Sequence, residues 1–107
     1  MADLNFEEIS FTIIANAGEA KGRAINAIKL AKEGNFKEAS DEMELSEKAL
    51  GIAGHSHMDV ISAEAAGEKI HIPVLFMHAE DQLLTTETVI LLSKEMIELY
   101  KHLKEKK

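Results

Sequence analysis

The chain of 107 residues has no cysteine and no tryptophan, and only one proline and one tyrosine. Without cysteine there is no disulfide framework, zinc–thiolate site or cysteine nucleophile. A β-sandwich would need turn signals every 8–12 residues or so, and one proline with six glycines cannot supply them. Good helix formers such as alanine, leucine, glutamate and lysine dominate instead, which predicts an all-α protein.

Positive charge is also scarce, because 12 Lys and Arg stand against 19 Asp and Glu for a net charge of −7. That balance argues against nucleic acid or an anionic membrane surface as a partner. No stretch approaches the roughly 18 continuous apolar residues of a membrane span. The first ten residues, MADLNFEEIS, lack the basic and apolar regions of a signal peptide. We therefore expect a cytoplasmic protein that binds no nucleic acid and does not insert into a membrane.

Apolar residues recur every three or four positions along three long segments, which is the period of an amphipathic helix. The predicted helices cover about residues 4–33, 36–66 and 73–104 of a single domain, 1–107. Short connections between long helices imply antiparallel neighbours. The pattern predicts an antiparallel up-down-up bundle of three helices.

Two glycine-containing breaks separate the segments. Gly34 suits the position after the first helix. Asn35 suits the N-cap of the second helix, with Glu38 three residues on as in a capping box. Gly67 ends the second helix, and Pro73 fits the first turn of the third, where its missing N–H is harmless.

The third helix carries an unusual mixture on one face. At about 100° per residue, the apolar residues of its second half fall together: Leu92, Met96, Leu99 and Leu103. Polar residues of its first half continue that face: His78, Asp81, Gln82 and Thr85. Glu80 projects to the solvent side. We expect this face to be buried in the core or partly against another subunit, in which case the Asp81 carboxylate needs a compensating partner.

Several chemistries are open to His78. A core histidine bonded to a neighbour needs no function at all. A metal site centred on His78 is disfavoured because no second histidine lies within a turn. A general base needs a nucleophile, for which Thr85 is a weak candidate. A phosphoryl-accepting histidine needs an accessible ring nitrogen, a docking surface and nearby donors, which Gln82 and Thr85 can supply.

Other histidines carry weaker patterns. The spacing of His55 and His57 is unspecific as a metal motif. Glu68 and His71 match the Glu-x-x-His spacing of di-iron bundles, but those need two such motifs and two further glutamates. Neither pattern predicts a metal site.

The stretch HAEDQLLTT at residues 78–86 resembles the lactose/cellobiose (chitobiose) enzyme IIA family of the bacterial sugar phosphotransferase system. That family carries a His-Ala/Gly-Gln-Asp-His-Leu-Met-Thr pattern early in its third helix. ANAGEA at 15–20, GNF at 34–36 and AAGE at 65–68 also match. The resemblance therefore spans essentially the whole chain.

This resemblance implies a cytoplasmic homotrimer of three-helix subunits. It implies that His78 accepts a phosphoryl group at Nε2 from the carrier HPr and passes it to a cysteine of the IIB component. The group then reaches an incoming β-disaccharide at the IIC membrane component. Gln82 and, less directly, Thr85 would contact the phosphoryl group. Asp81 would lie on the trimer axis, where three copies share a divalent cation, usually read as Mg²⁺.

The sequence departs from the family pattern at two places. Gln82 stands where the family usually has a second histidine, and an amide can donate a hydrogen bond but carries no proton or charge. The Glu-Ala-His-x-x-Gln-Thr stretch of the second helix is missing, and His57 falls where its glutamine would be.

Leu75 and Met77 are candidates for a patch on which HPr and IIB would dock. The alternative function is a non-enzymatic helical adaptor or regulatory bundle, including a degenerate IIA.

Overall fold

The computed structural model describes residues 4–106, and within that range it contains three α-helices and no strand. Helix α1 spans Phe6–Lys32, α2 spans Phe36–Ala65 and α3 spans Val74–Glu105. The described molecule measures 59 × 20 × 19 Å. The all-α prediction is confirmed, while residues 1–3 and 107 of the predicted domain lie outside the described residues.

Contacts between helices establish the up-down-up order. Ser46 on α2 donates to the carbonyl of Ala20, and Thr86 on α3 donates to the carbonyl of Ala17 at 3.4 Å. Arg23, which follows Ala20 on α1, pairs with Glu42, which precedes Ser46 on α2. On α3 the order is the same as on α1, because Phe76 packs on Phe6 and Thr86 bonds to Ala17. Helices α1 and α3 are thus parallel, and α2 is antiparallel to both.

Both predicted glycine breaks adopt the backbone conformation that glycine alone tolerates well. Gly34 has φ of 88° and Gly67 has φ of 98°. The backbone N–H of Gly34 donates to the carbonyl of Ala31, which satisfies one free acceptor at the end of α1. The two helix ends predicted from these glycines are confirmed.

The predicted capping box is wrong. Asn35 is the N-cap of α2, but its side chain makes no capping hydrogen bond, and its amide donates to Glu33 instead, at 3.5 Å. Glu38 therefore has no reciprocal partner. Pro73 is the N-cap of α3 and not a residue of its first turn, and it offers no side-chain cap.

Alanines let α1 approach both neighbours closely. Its fully buried residues include five alanines: Ala17, Ala20, Ala24, Ala27 and Ala31. At the opposite end from the Gly34 turn, Ile13, Phe76 and Leu83 form a second buried cluster. There the ring of Phe76 packs edge-on against Phe6 with centroids 5.3 Å apart. Burial of a phenylalanine stabilises by about 1.5–3 kcal/mol, so this contact anchors the start of α3 to α1.

No helix within residues 4–106 is both long and apolar enough to cross a membrane.

Candidate functional site

Helix α3 has two apolar faces, of which only one packs inside the chain. The inward face is formed by small and apolar residues: Phe76, Ala79, Leu83, Thr86, Ile90, Ser93 and Ile97. The face picked out from the sequence is a different one. Its four apolar residues, hereafter the α3 stripe, are 45–58% exposed: Leu92, Met96, Leu99 and Leu103. The helical period located the α3 stripe. Its exposure shows that it is not buried in the core of one chain, and the predicted alternative, burial against another subunit, stays a prediction.

The polar residues that continue the α3 stripe are accordingly not in the core. His78, Asp81 and Thr85 are exposed, and Gln82 is half-buried. Burial of these residues against another subunit, the alternative that the sequence left open, stays a prediction. The structure does bring His78, Gln82 and Thr85 onto one side of α3, at successive turns. Asp81 needs no compensating group within one chain.

Glu80 was expected to face solvent, and that expectation is wrong. It is half-buried, and its carboxylate contacts Nδ1 of His57 on α2, with Oε1 at 2.6 Å and Oε2 at 2.7 Å. Glu80 follows the buried Phe76 by four residues and so borders the inward face. That spacing was the available signal, but the partner 23 residues away was not predictable from it.

His78 is the fifth residue of α3. Among residues 4–106, no hydrogen bond or ion pair involves its ring, and the side chain is exposed. Its nitrogens are therefore free for chemistry with an external group. An exposed neutral imidazole can act as a nucleophile through the nitrogen that carries no proton.

The two predicted phosphoryl contacts differ in availability. Gln82 has a side-chain amide without a protein partner among the described residues. The hydroxyl of Thr85 donates to the carbonyl of Asp81 at 2.8 Å and lies 3.3 Å from that of Gln82. Thr85 must break that bond before it can donate to another group, so Gln82 is the better donor.

The described residues hold no group of three or more His, Asp or Glu side chains that could bind a metal ion. Asp81 supplies a single carboxylate, which is too few ligands for a divalent cation that takes six or more oxygens. The predicted Mg²⁺ is thus not supported by one chain. His57 is committed to Glu80, which also leaves the His55–His57 pair without a ligand set.

Comparison with known proteins identifies the family to which this fold belongs. The family PTS system, Lactose/Cellobiose specific IIA subunit, matches residues 8–101. The lichenan-specific phosphotransferase enzyme IIA component of Bacillus subtilis is 36% identical over 101 residues, covering 94% of this chain and 92% of the relative.

Solved structures agree with the sequence matches. The crystal structure of the cellobiose-specific enzyme IIA from Bacillus anthracis superposes with a TM-score of 0.92 at 39% identity, covering 99% of this chain and 97% of that one. Two solution structures of the IIA(Chitobiose)–HPr complex match with TM-scores of 0.83 and 0.75 at 31% identity, the second from the Escherichia coli phosphotransferase system. Both cover 95% of this chain and 99% of the matched chain.

These findings define the class of protein as a three-helix IIA component of a sugar phosphotransferase system. The chain belongs to the lactose/cellobiose-specific IIA family of the phosphotransferase system. It is a phosphotransferase component that carries phosphoryl groups.

Proposed function

We propose that His78 accepts a phosphoryl group at Nε2 from phosphorylated HPr and passes it to a cysteine of a IIB partner. The observation that carries this proposal is the exposure of His78, whose ring makes no hydrogen bond or ion pair among residues 4–106. A transfer between two proteins requires a nucleophile that both can reach. Of the polar residues on this face, only His78 is a good nucleophile at neutral pH.

The chemistry consists of two in-line displacements. The Nε2 lone pair of His78 attacks phosphorus, the P–N bond to the histidine of HPr breaks, and its electron pair returns to that ring. In the second displacement the thiolate of IIB attacks, a P–S bond forms and the P–N bond to His78 breaks. Positioning and charge stabilisation do most of the catalysis in such transfers. Gln82, one turn after His78, donates an amide N–H to a phosphoryl oxygen.

We propose that three copies assemble around the α3 stripe. Exposed apolar patches of this kind mark interaction sites. The α3 stripe extends over about three helical turns, and Asp81 and His78 lie on its continuation. A closed trimer covers the apolar residues on every copy at once and leaves no unpaired face. His78 then lies beside a subunit boundary.

Asp81 would stand closest to the threefold axis of that trimer. Three carboxylates brought together repel one another unless a cation neutralises them. A divalent cation with a preference for oxygen, such as Mg²⁺, fits a ring of three Asp81 side chains. No single chain offers such a site, so binding of the cation and trimer formation are coupled.

The names of the relatives support a proposal for the substrate pathway. Those relatives are a lichenan-specific component, a cellobiose-specific component and the IIA(Chitobiose) that binds HPr. We propose that this protein receives phosphoryl groups from HPr in the cytoplasm. It passes them through IIB to a β-linked disaccharide entering by a IIC permease. Met77, exposed next to His78, and Leu75 belong to the docking patch.

The test is incubation with phosphoenolpyruvate, enzyme I and HPr, followed by mass spectrometry of the intact protein. The wild type should gain one phosphoryl group, and His78→Ala should gain none. His55→Ala is the matched control, since His55 is also an exposed helical histidine and should leave labelling unchanged. Equal labelling of His78→Ala would refute His78 as the acceptor, and no labelling of the wild type would favour the adaptor function.

Gln82 gives one reason to keep a second possibility, a degenerate IIA with a regulatory use. An amide in place of the family's histidine cannot exchange a proton during transfer. The two possibilities differ in the onward step. Loss of label to a cognate IIB supports a carrier, whereas label that stays on His78 in the presence of IIB indicates a regulatory protein.

A further inference from the structure

The start of α3 is linked to α2 by the contact between His57 and Glu80. The Nδ1 atom of His57 lies 2.6 Å from Oε1 of Glu80, and the two side chains are 25% and 22% exposed. With Glu80 ionised, the carboxylate only accepts, so Nδ1 of His57 donates. Charge-assisted hydrogen bonds of this kind are short and shielded from solvent competition.

Apolar packing also holds the start of α3 on that side, since Ala53 and Val60 of α2 share a buried cluster with Phe76, but polar contacts there are few. The connector before it, 66–73, contains no helix, and the N-cap Pro73 provides no side-chain capping bond. Helices α2 and α3 also pack less extensively on each other than either packs on α1. The edge-on contact of Phe76 with Phe6 holds the opposite side, against α1.

Within residues 4–106, one other side-chain ion pair joins α2 to α3, and a cation–π contact of Lys104 with Phe36 lies at the far end of the bundle. Lys94 lies 2.8 Å from Glu47, and both side chains are 48% exposed. Fourteen residues separate Glu80 from Lys94, which is about 21 Å along a helix. The Glu47–Lys94 pair is therefore too distant to fix the turn that carries His78, and its exposure makes it weaker.

We propose that His57 and Glu80 are a positioning pair for His78, an inference that rests on the proposed function of His78. Glu80 lies two residues after His78 on the same helical turn, so a fixed Glu80 fixes the rotation of α3 about its axis at His78. Two residues of α3 hold that turn: Phe76 packs against α1, and Glu80 bonds to α2. Misplacement of a reacting group by about 1 Å can slow a reaction by up to a hundredfold.

The test measures single-turnover phosphoryl transfer from phospho-HPr at several HPr concentrations. For His57→Ala and Glu80→Ala we expect the maximal transfer rate to fall about tenfold, within the range that misplacement allows. The HPr concentration at half-maximal rate should stay unchanged, because the proposed role of both residues is to position His78 and not to bind HPr. The double variant His57→Gln with Glu80→Gln re-forms a neutral side-chain hydrogen bond and should recover the rate to within about twofold of wild type.

The Glu47–Lys94 pair supplies the matched control. Lys94→Ala removes the other ion pair between α2 and α3. The maximal rate of transfer should stay unchanged even if the variant is less stable. The proposal is overturned if His57→Ala transfers as fast as wild type, if Lys94→Ala is slowed equally, or if the double glutamine variant stays slow. Failure of the proposed function is distinguishable, because the wild type itself then accepts no phosphoryl group on His78.

Discussion

Substitution of Leu99, in the middle of the α3 stripe, tests whether this face is a subunit interface. Leu99 is 57% exposed in one chain. Full burial of a leucine is worth about 1.5–3 kcal/mol, so covering the exposed part stabilises by roughly 1–1.5 kcal/mol per chain. Three symmetric copies bring this to about 3–5 kcal/mol per trimer. Leu99→Asp removes this stabilisation and places three like charges near the trimer axis. The association constant of the trimer should therefore fall at least about a hundredfold.

Sedimentation velocity over a range of concentrations measures the effect. The wild type should sediment at three times the 11.8-kDa chain mass, and Leu99→Asp should dissociate to single chains that keep their helical circular dichroism. Leu45→Asp is the matched control, because Leu45 is a similarly exposed leucine on α2, outside the α3 stripe. A trimer that survives Leu99→Asp, or one that Leu45→Asp disrupts equally, would refute the assignment of the α3 stripe as the seam.

Four further substitutions follow from named features. Asp81→Leu should keep the trimer, since it replaces carboxylate repulsion by apolar contact. Chelators should dissociate only the wild-type trimer, and a variant that sediments as a monomer would contradict this. In urea unfolding, Gly34→Ala should lower the free energy of unfolding by about 1–2 kcal/mol, because φ is 88°. Gly51→Ala has open space around its added Cβ and should raise that free energy by about 0.5–1 kcal/mol. Ser46→Ala removes a buried hydrogen bond to Ala20 and should cost about 1 kcal/mol in the same assay; no loss would show that bond to be unimportant.

The sequence predicted the fold because long apolar periods and rare breakers leave few alternatives. Gly34 and Gly67 mark real helix ends, since both adopt positive φ. The capping box at Asn35 failed because its amide bonds to the neighbouring Glu33, a local competition that composition does not reveal. The helix ends are therefore better predicted from backbone requirements than from side-chain caps.

The candidate site was predicted in part. The helical period placed His78, Asp81 and Thr85 on one line with the α3 stripe, and that grouping is present. A wheel cannot distinguish a face buried within the chain from one buried between chains, because both are apolar. The helical wheel therefore left both environments open, and the exposure of these residues in one chain excludes only the core.

The pairing of Glu80 with His57 was missed for a different physical reason. It joins residues 23 positions apart on two antiparallel helices. Such a contact depends on the rotation of both helices and on their relative height, which no single periodic pattern encodes. The four-residue interval from Phe76 to Glu80 indicated only that Glu80 borders the core.

The central claim is that Nε2 of His78 carries the phosphoryl group. The most direct measurement is NMR of the ¹⁵N-labelled protein during phosphorylation by enzyme I, HPr and phosphoenolpyruvate, with the five histidine rings assigned. The ¹⁵N chemical shifts of the ring nitrogens should change for His78 alone, to those of an Nε2-phosphorylated imidazole. They should return to their original values when IIB is added. Phosphorylation of another histidine, or of Nδ1 of His78, would contradict it.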